Sequence, residues 1–163
     1  MECSTLTSGE PRLLVLSPPV IEIRHRKTGK VLRRVDAQEL TACDLTGADL
    51  RGADLRDAHL TRANLEGADL RGALLTDADL VGANLKGAQF QNADLEGAEL
   101  GNADLREANL SGSVLRYARM SAADLRGANL RGANLRKATM RHIRYNEQTR
   151  WPWFFDVDAA ICR

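Results

Sequence analysis

Aromatic side chains are scarce in this chain: two Trp, two Tyr and three Phe among 163 residues. Large rings normally contribute much of the buried area of a thick core, so any interior built here is narrow and made of something else. Cysteine is equally sparse. Cys3, Cys43 and Cys162 stand far apart without a C-x-x-C pair, which excludes a zinc cluster or a disulfide framework and suits a reducing compartment. The longest apolar run near the start, Leu13 to Leu16, is too short for a signal-peptide core or a membrane span. A cytoplasmic protein with no membrane association is the expectation. Net charge is nearly absent: 23 Lys plus Arg against 22 Asp plus Glu give +1. That excludes a uniformly basic nucleic-acid binder and an acidic disordered chain.

What is abundant is Leu and Ala, and they recur every five residues. From Thr41 to Arg141 large apolar centres fall at Leu45, Leu50, Leu55 and onward to Met140, twenty in register, with Phe90, Met120 and Met140 the three that are not Leu. Ala lies two residues before the centre in eighteen cases, the exceptions being Cys43 and Ser113, and Asp or Asn lies just before it in thirteen. No proline interrupts this block. Such repeats outrank any local propensity as a guide to architecture. On an α-helix a five-residue step advances about 140° past a full turn, so the leucines would spiral around every face. On a flat strand an odd period sends successive leucines to opposite sides. Neither element buries them together. The chain must therefore turn once per pentapeptide with the centre and its preceding Ala pointing inward, and eleven glycines within the block suit the corners.

The block resembles the pentapeptide-repeat family, whose motif is Ala, then Asp or Asn, then Leu, then two variable residues. The resemblance implies an all-β fold, a right-handed quadrilateral parallel β-helix in which four pentapeptides make one square coil. Twenty repeats then give about five coils. The core residues expected from this stacking include Leu45, Leu65, Leu85, Phe90, Leu105, Met120, Leu125 and Met140. Around the repeats, residues 1–18 read as a mobile segment and residues 19–37 as a β-hairpin, alternating from Val20 to Arg26, turning through Lys27-Thr28-Gly29-Lys30 and extending from Val31 to Val35. Residues 38–145 form the helix proper, with Leu40 and Gln38 as a degenerate first side. Residues 146–163 form a C-terminal cap, in which Trp151, Pro152, Trp153, Phe154 and Phe155 gather four of the seven aromatics. A Thr-Arg-Trp-Pro stretch similar to that at Thr149 closes many family members. A solenoid needs such caps because both ends expose unpaired backbone.

A square interior filled with Leu and Ala leaves no cavity for a substrate, so no enzymatic activity and no cofactor are expected. His25, His59 and His142 are isolated and read as solvated side chains. Coiling stacks Asp49 on Asp69 and Asp104 on Asp124, about 4.8 Å apart. Such pairs could hold a cation weakly, but Asp before a turn more commonly satisfies local backbone groups. No metal site is expected.

Function is therefore sought on the surface. Stepping by twenty places Arg126, Arg131, Arg136 and Arg141 on the four sides of the last coil. Residues 41–100 carry eleven acids and five bases, net −6, whereas residues 101–150 carry four acids and ten bases, net +6. The rod is a charge dipole along its axis. Leu74 and Val114 replace the outward Asp or Asn on one side, Val81 faces out on the next, and Tyr117 and Arg116 lie beside Val114. Together these residues are the candidate interaction surface. A non-enzymatic scaffold that docks a protein partner fits this pattern, with salt-dependent end-to-end self-association as a further possibility for the complementary ends. The resemblance also implies an alternative, the DNA-mimicking binder of DNA gyrase or topoisomerase that confers quinolone resistance. Such mimics are strongly acidic, whereas the block 41–140 nets only −2, with fourteen acids and twelve bases, and its C-terminal half is basic. Nucleic acid is disfavoured as a ligand.

Overall fold

The computed structural model describes residues 20–36, 40–153 and 155–161. Cys3, Cys162, Gln38, Phe154 and the segment 1–18 lie outside the described residues.

Each pentapeptide ends in a tight turn. The carbonyl of one centre accepts the amide of the Ala three residues on, as in Ala48 N to Leu45 O at 3.0 Å and Ala63 N to Leu60 O at 3.0 Å. The second residue after every centre from Leu40 to Met140 has positive φ, the signature of a type II turn. Glycine holds ten of these corners, and Asp57, Asp77, Asn92 and Asn102 hold four more, residues that tolerate the left-handed region. Arg62, Glu107, Tyr117 and Lys137 adopt it too, so stacking overrides local preference there. Gly101, the eleventh glycine of the block, sits one position earlier and is not among the positive-φ corners.

Between corners the chain makes one short parallel bridge to the equivalent residue twenty positions on. The first side runs through Asp44, Asn64, Asn84, Asp104, Asp124 and Arg144, and the second through Asp49, Asp69, Gln89, Asn109 and Asn129. The third follows Asp54, Leu74, Asp94, Val114 and Asn134, and the fourth His59, Asp79, Glu99, Arg119 and Thr139. Three backbone bonds tie each side to the next coil, for example Leu45 N to Asn64 O, Asn64 N to Cys43 O and Gly47 N to Glu66 O, all between 2.7 and 2.8 Å. This is a β-helix: nearly every backbone polar group is satisfied by the coil above or below, so apolar side chains can fill the interior. All twenty centres are buried, as are most of the alanines. Leu45, Leu65, Leu85, Leu105 and Leu125 form one inner column beneath the first side, and Phe90, Met120 and Met140 are equally enclosed.

The N-terminal hairpin pairs strand β1, Val20–His25, antiparallel with β2, Val31–Asp36, and docks β1 against β3, Ala53–Asp54, on the third side. Ile23 enters the core with Leu40. The His25 ring lies over Gly52, where an added Cβ would come within 2.6 Å of Nε2, so this corner requires glycine for space as well as for φ.

At the other end the period breaks. Asp124 pairs with Arg144 twenty residues on, but Asn129 pairs with Arg150, twenty-one on. The last side thus holds one extra residue. Thr149 takes the inward Ala position and donates from Oγ1 to Leu125 O at 2.9 Å. Trp151 takes the place of the centre, meeting Tyr145 edge-on at 5.8 Å and stacking on Phe155 at 5.3 Å. Trp151, Phe155 and Ala160 pack against the core, the last from the short helix α1, Val157–Ile161. Trp153, by contrast, is 84% exposed and adds no buried ring to this lid.

Candidate interaction surface

The outward positions flank each corner, and the sequence places Asp and Arg across five of them as Asp-Leu-Arg. Two residues apart around a corner, both side chains leave the same outer face. Each Arg closes a bidentate fork on its Asp. Arg51 Nε donates to Asp49 Oδ1 at 2.7 Å and Nη2 to Oδ2 at 2.6 Å, and Arg56, Arg71, Arg106 and Arg126 repeat this on Asp54, Asp69, Asp104 and Asp124. The same carboxylates also accept the turn amide, as in Arg106 N to Asp104 Oδ1 at 3.1 Å. Asp49 and Asp69, and Asp104 and Asp124, do stack, but their oxygens are spent on guanidinium and backbone. No cluster of potential metal ligands forms among the described residues.

These forks depress the acids. The Arg51 hydrogen bonds hold the Asp49 carboxyl at about 2 against the opposing effect of desolvation, and Arg56, Arg71, Arg106 and Arg126 pull their own partners down in the same way. A folded pKa below the unfolded value near 4 means that the stabilisation is complete above that value and disappears as pH falls through the folded one. The melting temperature should therefore be flat near neutrality and decline between about pH 4 and pH 2. The decline should shrink in Arg51→Gln and in high salt, since the pair is exposed and screened. Thermal denaturation across that range checks both.

Charge compensation is uneven along the rod. Arg116 Nη2 reaches Glu96 Oε1 at 3.8 Å and Arg119 Nη1 reaches Glu99 Oε1 at 2.6 Å, each one coil away. Arg116 is half-buried, and its Nε lacks a hydrogen-bond partner. In the last coil Arg126 keeps its fork, whereas Arg131 and Arg136 are exposed and form no ion pair among the described residues. Arg141, Arg144 and Arg150 are exposed around the same end.

The apolar candidates do not coalesce. Leu74 and Val114 share the third side, but Asp94 bridges between them, and both are half-buried, as is Val81 on the fourth side. Tyr117 is 43% exposed in a left-handed corner. Arg116 and Lys137 lie over its ring at 5.4 and 5.0 Å, and Lys137 Nζ donates to its hydroxyl at 3.3 Å. That hydrogen bond, aided by Arg116, lowers the phenol pKa. His59 and His142 are exposed, while His25 accepts the Lys27 and Thr28 amides at Nδ1 and shapes the hairpin turn. A cleft of about 430 Å³ opens at the C-terminal end between Leu135, Ala138 and Met140 on one wall and Phe155, Ala159 and Ala160 on the other.

Residues 39–77, 69–106 and 103–141 match the family described as Pentapeptide repeats, in eight copies. The chain belongs to the pentapeptide-repeat family. Among solved structures it is similar to a pentapeptide repeat protein of the Arabidopsis thaliana thylakoid lumen, with 33% identity over 58% of this chain and 63% of that one, at a TM-score of 0.42. A pentapeptide repeat protein from Nostoc Pcc 7120 is 35% identical over 63% of this chain and 80% of the other, TM-score 0.40. QnrB1, a plasmid-mediated fluoroquinolone resistance protein, is 21% identical over 63% and 67% of the two chains, TM-score 0.35. The chain thus spans less than two thirds of the Arabidopsis protein it matches. No curated protein matches. No helix among the described residues is long and apolar enough to cross a membrane.

Proposed function

We propose that this protein is a rigid, non-enzymatic rod of five right-handed coils that docks a protein partner through its Arg-rich C-terminal half. The observation that carries this reading is the uneven compensation of charge. Arg51, Arg56 and Arg71 of the first coils are forked to aspartates, whereas in the last coil only Arg126 is forked and Arg131 and Arg136 are held out to solvent. An exposed cation without an internal partner costs little to desolvate against an acidic surface and steers its approach. Affinity capture at low salt should retain a partner on the native protein and lose it when Arg126, Arg131, Arg136 and Arg141 are all reversed to Glu. Equal capture by both overturns the proposal. Complementary ends also support salt-dependent end-to-end association, which sedimentation at low ionic strength tests.

The gyrase-binding alternative requires an acidic, duplex-like surface. Exposed arginines at the C-terminal end have the wrong sign for it. A supercoiling assay with and without the protein distinguishes the two readings, with no effect on gyrase expected.

A further inference from the structure

Among the described residues, the C-terminal end of the β-helix is closed on two sides. On the first and second sides the chain's own continuation completes the ladder, through Leu125 N to Arg144 O and Leu130 N to Arg150 O. On the third and fourth sides no such strand follows among the described residues. The amides of Leu135, Lys137 and Met140 and the carbonyls of Ala133 and Ala138 make no backbone hydrogen bond among the described residues. These are the groups that bind the next coil everywhere else in the rod, as Asp94 N does on Ala73 O and Glu99 N on Ala78 O. An open edge of this kind is a template for an added strand. The cleft between Leu135, Met140 and the Phe155–Ala160 wall, lined as well by Lys137, Thr139 and Asp156, lies directly beside it.

Charge specifies what fits. Lower on these same two sides the molecule stacks acid against arginine across adjacent coils, Glu96 with Arg116 on the third and Glu99 with Arg119 on the fourth. At the open end the third side presents Arg136, in the column where Glu96 meets Arg116, and Lys137, both exposed, whereas the fourth-side column of Glu99 and Arg119 ends at Thr139. We propose that this edge receives an extended acidic segment of a partner protein, added in parallel as one further strand across the third and fourth sides. The segment places small and large apolar residues over the cleft and a carboxylate over the Arg136 column. This inference rests on the docking function proposed above and assigns the partner's chemistry and seat.

A synthetic peptide with the sequence of residues 91–100 is a suitable probe, since it carries two Ala-x-Leu units and the acids Asp94, Glu96 and Glu99 in the register of those two sides. Added to the full chain at low salt, it should bind saturably and shift the backbone amide resonances of residues 133–142. A peptide with proline at its Asp94 and Glu99 positions lacks the two ladder amides and should fail to bind. The exposed-residue variant Arg136→Glu should weaken the parent peptide about tenfold or more. The inference is overturned by absence of binding, by equal binding of the proline peptide, or by shifts confined to other residues. It is overturned as well if the same shifts arise with rising protein concentration alone, for then a second copy occupies the edge. Peptide failure alongside partner capture that still depends on the four arginines overturns the strand-addition inference and leaves the docking reading standing.

Discussion

Leu85→Asp should abolish the cooperative thermal transition, whereas Leu85→Ala should leave a folded protein about 2–5 kcal/mol less stable. Leu85 is the middle member of an inner column, fully buried with Leu65 on one side and Leu105 on the other. Truncation to Ala removes its contacts and leaves a cavity that stiff neighbours fill only in part, because each coil is pinned by three hydrogen bonds per side. An aspartate there has no donor to meet. Its neighbours in the interior are Leu and Ala, and the surrounding amides are committed to the ladder. The charge must stay unpaired, at several kcal/mol beyond the lost packing, or the carboxyl must take up a proton and still lack a partner. That sum is comparable with the whole stability of a domain, on the order of 5–15 kcal/mol. Circular dichroism melts of both variants are the measurement. A cooperative transition for the aspartate variant within a few degrees of the native one would refute the closed interior.

Removing residues 151–163 should produce the second-largest effect, a melting temperature lowered by many degrees or outright aggregation. Trp151 takes the position of a centre on the last side, meets Tyr145 edge-on and stacks on Phe155. Phe155 and Ala160 cover the top of the core beside Leu135 and Met140. Without them the rows of apolar side chains ending in Leu130, Leu135 and Met140 open to water at a cost of roughly 25 cal/mol per Å² exposed. The loss should be graded along the axis, since a repeat solenoid couples only neighbours. Amide exchange should accelerate first in residues 124–145 and last in the hairpin-covered coils. Because Trp153 is exposed, Trp153→Ala should leave stability nearly unchanged. Uniform exchange through the rod in the truncated protein would contradict the capping role.

The period of five, with Ala and Leu inward, was enough to place every centre and to require one turn per pentapeptide, whereas the twenty-residue stacking followed from the resemblance to the pentapeptide-repeat family. The hairpin was readable from its alternation and its Thr-Gly turn. Its docking on the third side was not, since the contacts of His25 with Gly52 and of β1 with β3 involve residues without any periodic mark. The Asp-Arg forks escaped because charge was counted by segment and by column, whereas the forks close within a pentapeptide around its corner. Five copies of Asp-Leu-Arg in the text were the available signal. The extra residue between Tyr145 and Trp151 was hidden by the replacement of both inward residues there, Ile143 and Tyr145 for Ala and Leu. Leu74 and Val114 share one side, but the half-burial of each and the bridging Asp94 keep them from forming a single patch.

The twenty-residue step makes this chain a ruler whose units are not equivalent. Inserting twenty residues within the repeats would lengthen the rod by about 4.8 Å and leave every later side chain pointing where it did before. Inserting five would lengthen it by a quarter of that and rotate everything beyond the insertion by a quarter turn. The column joining Glu96 to Arg116 would then be broken and the open C-terminal edge moved to a different compass direction, with the core unaffected. Stability and surface pattern can thus vary independently in this molecule: the first counts coils, the second counts sides.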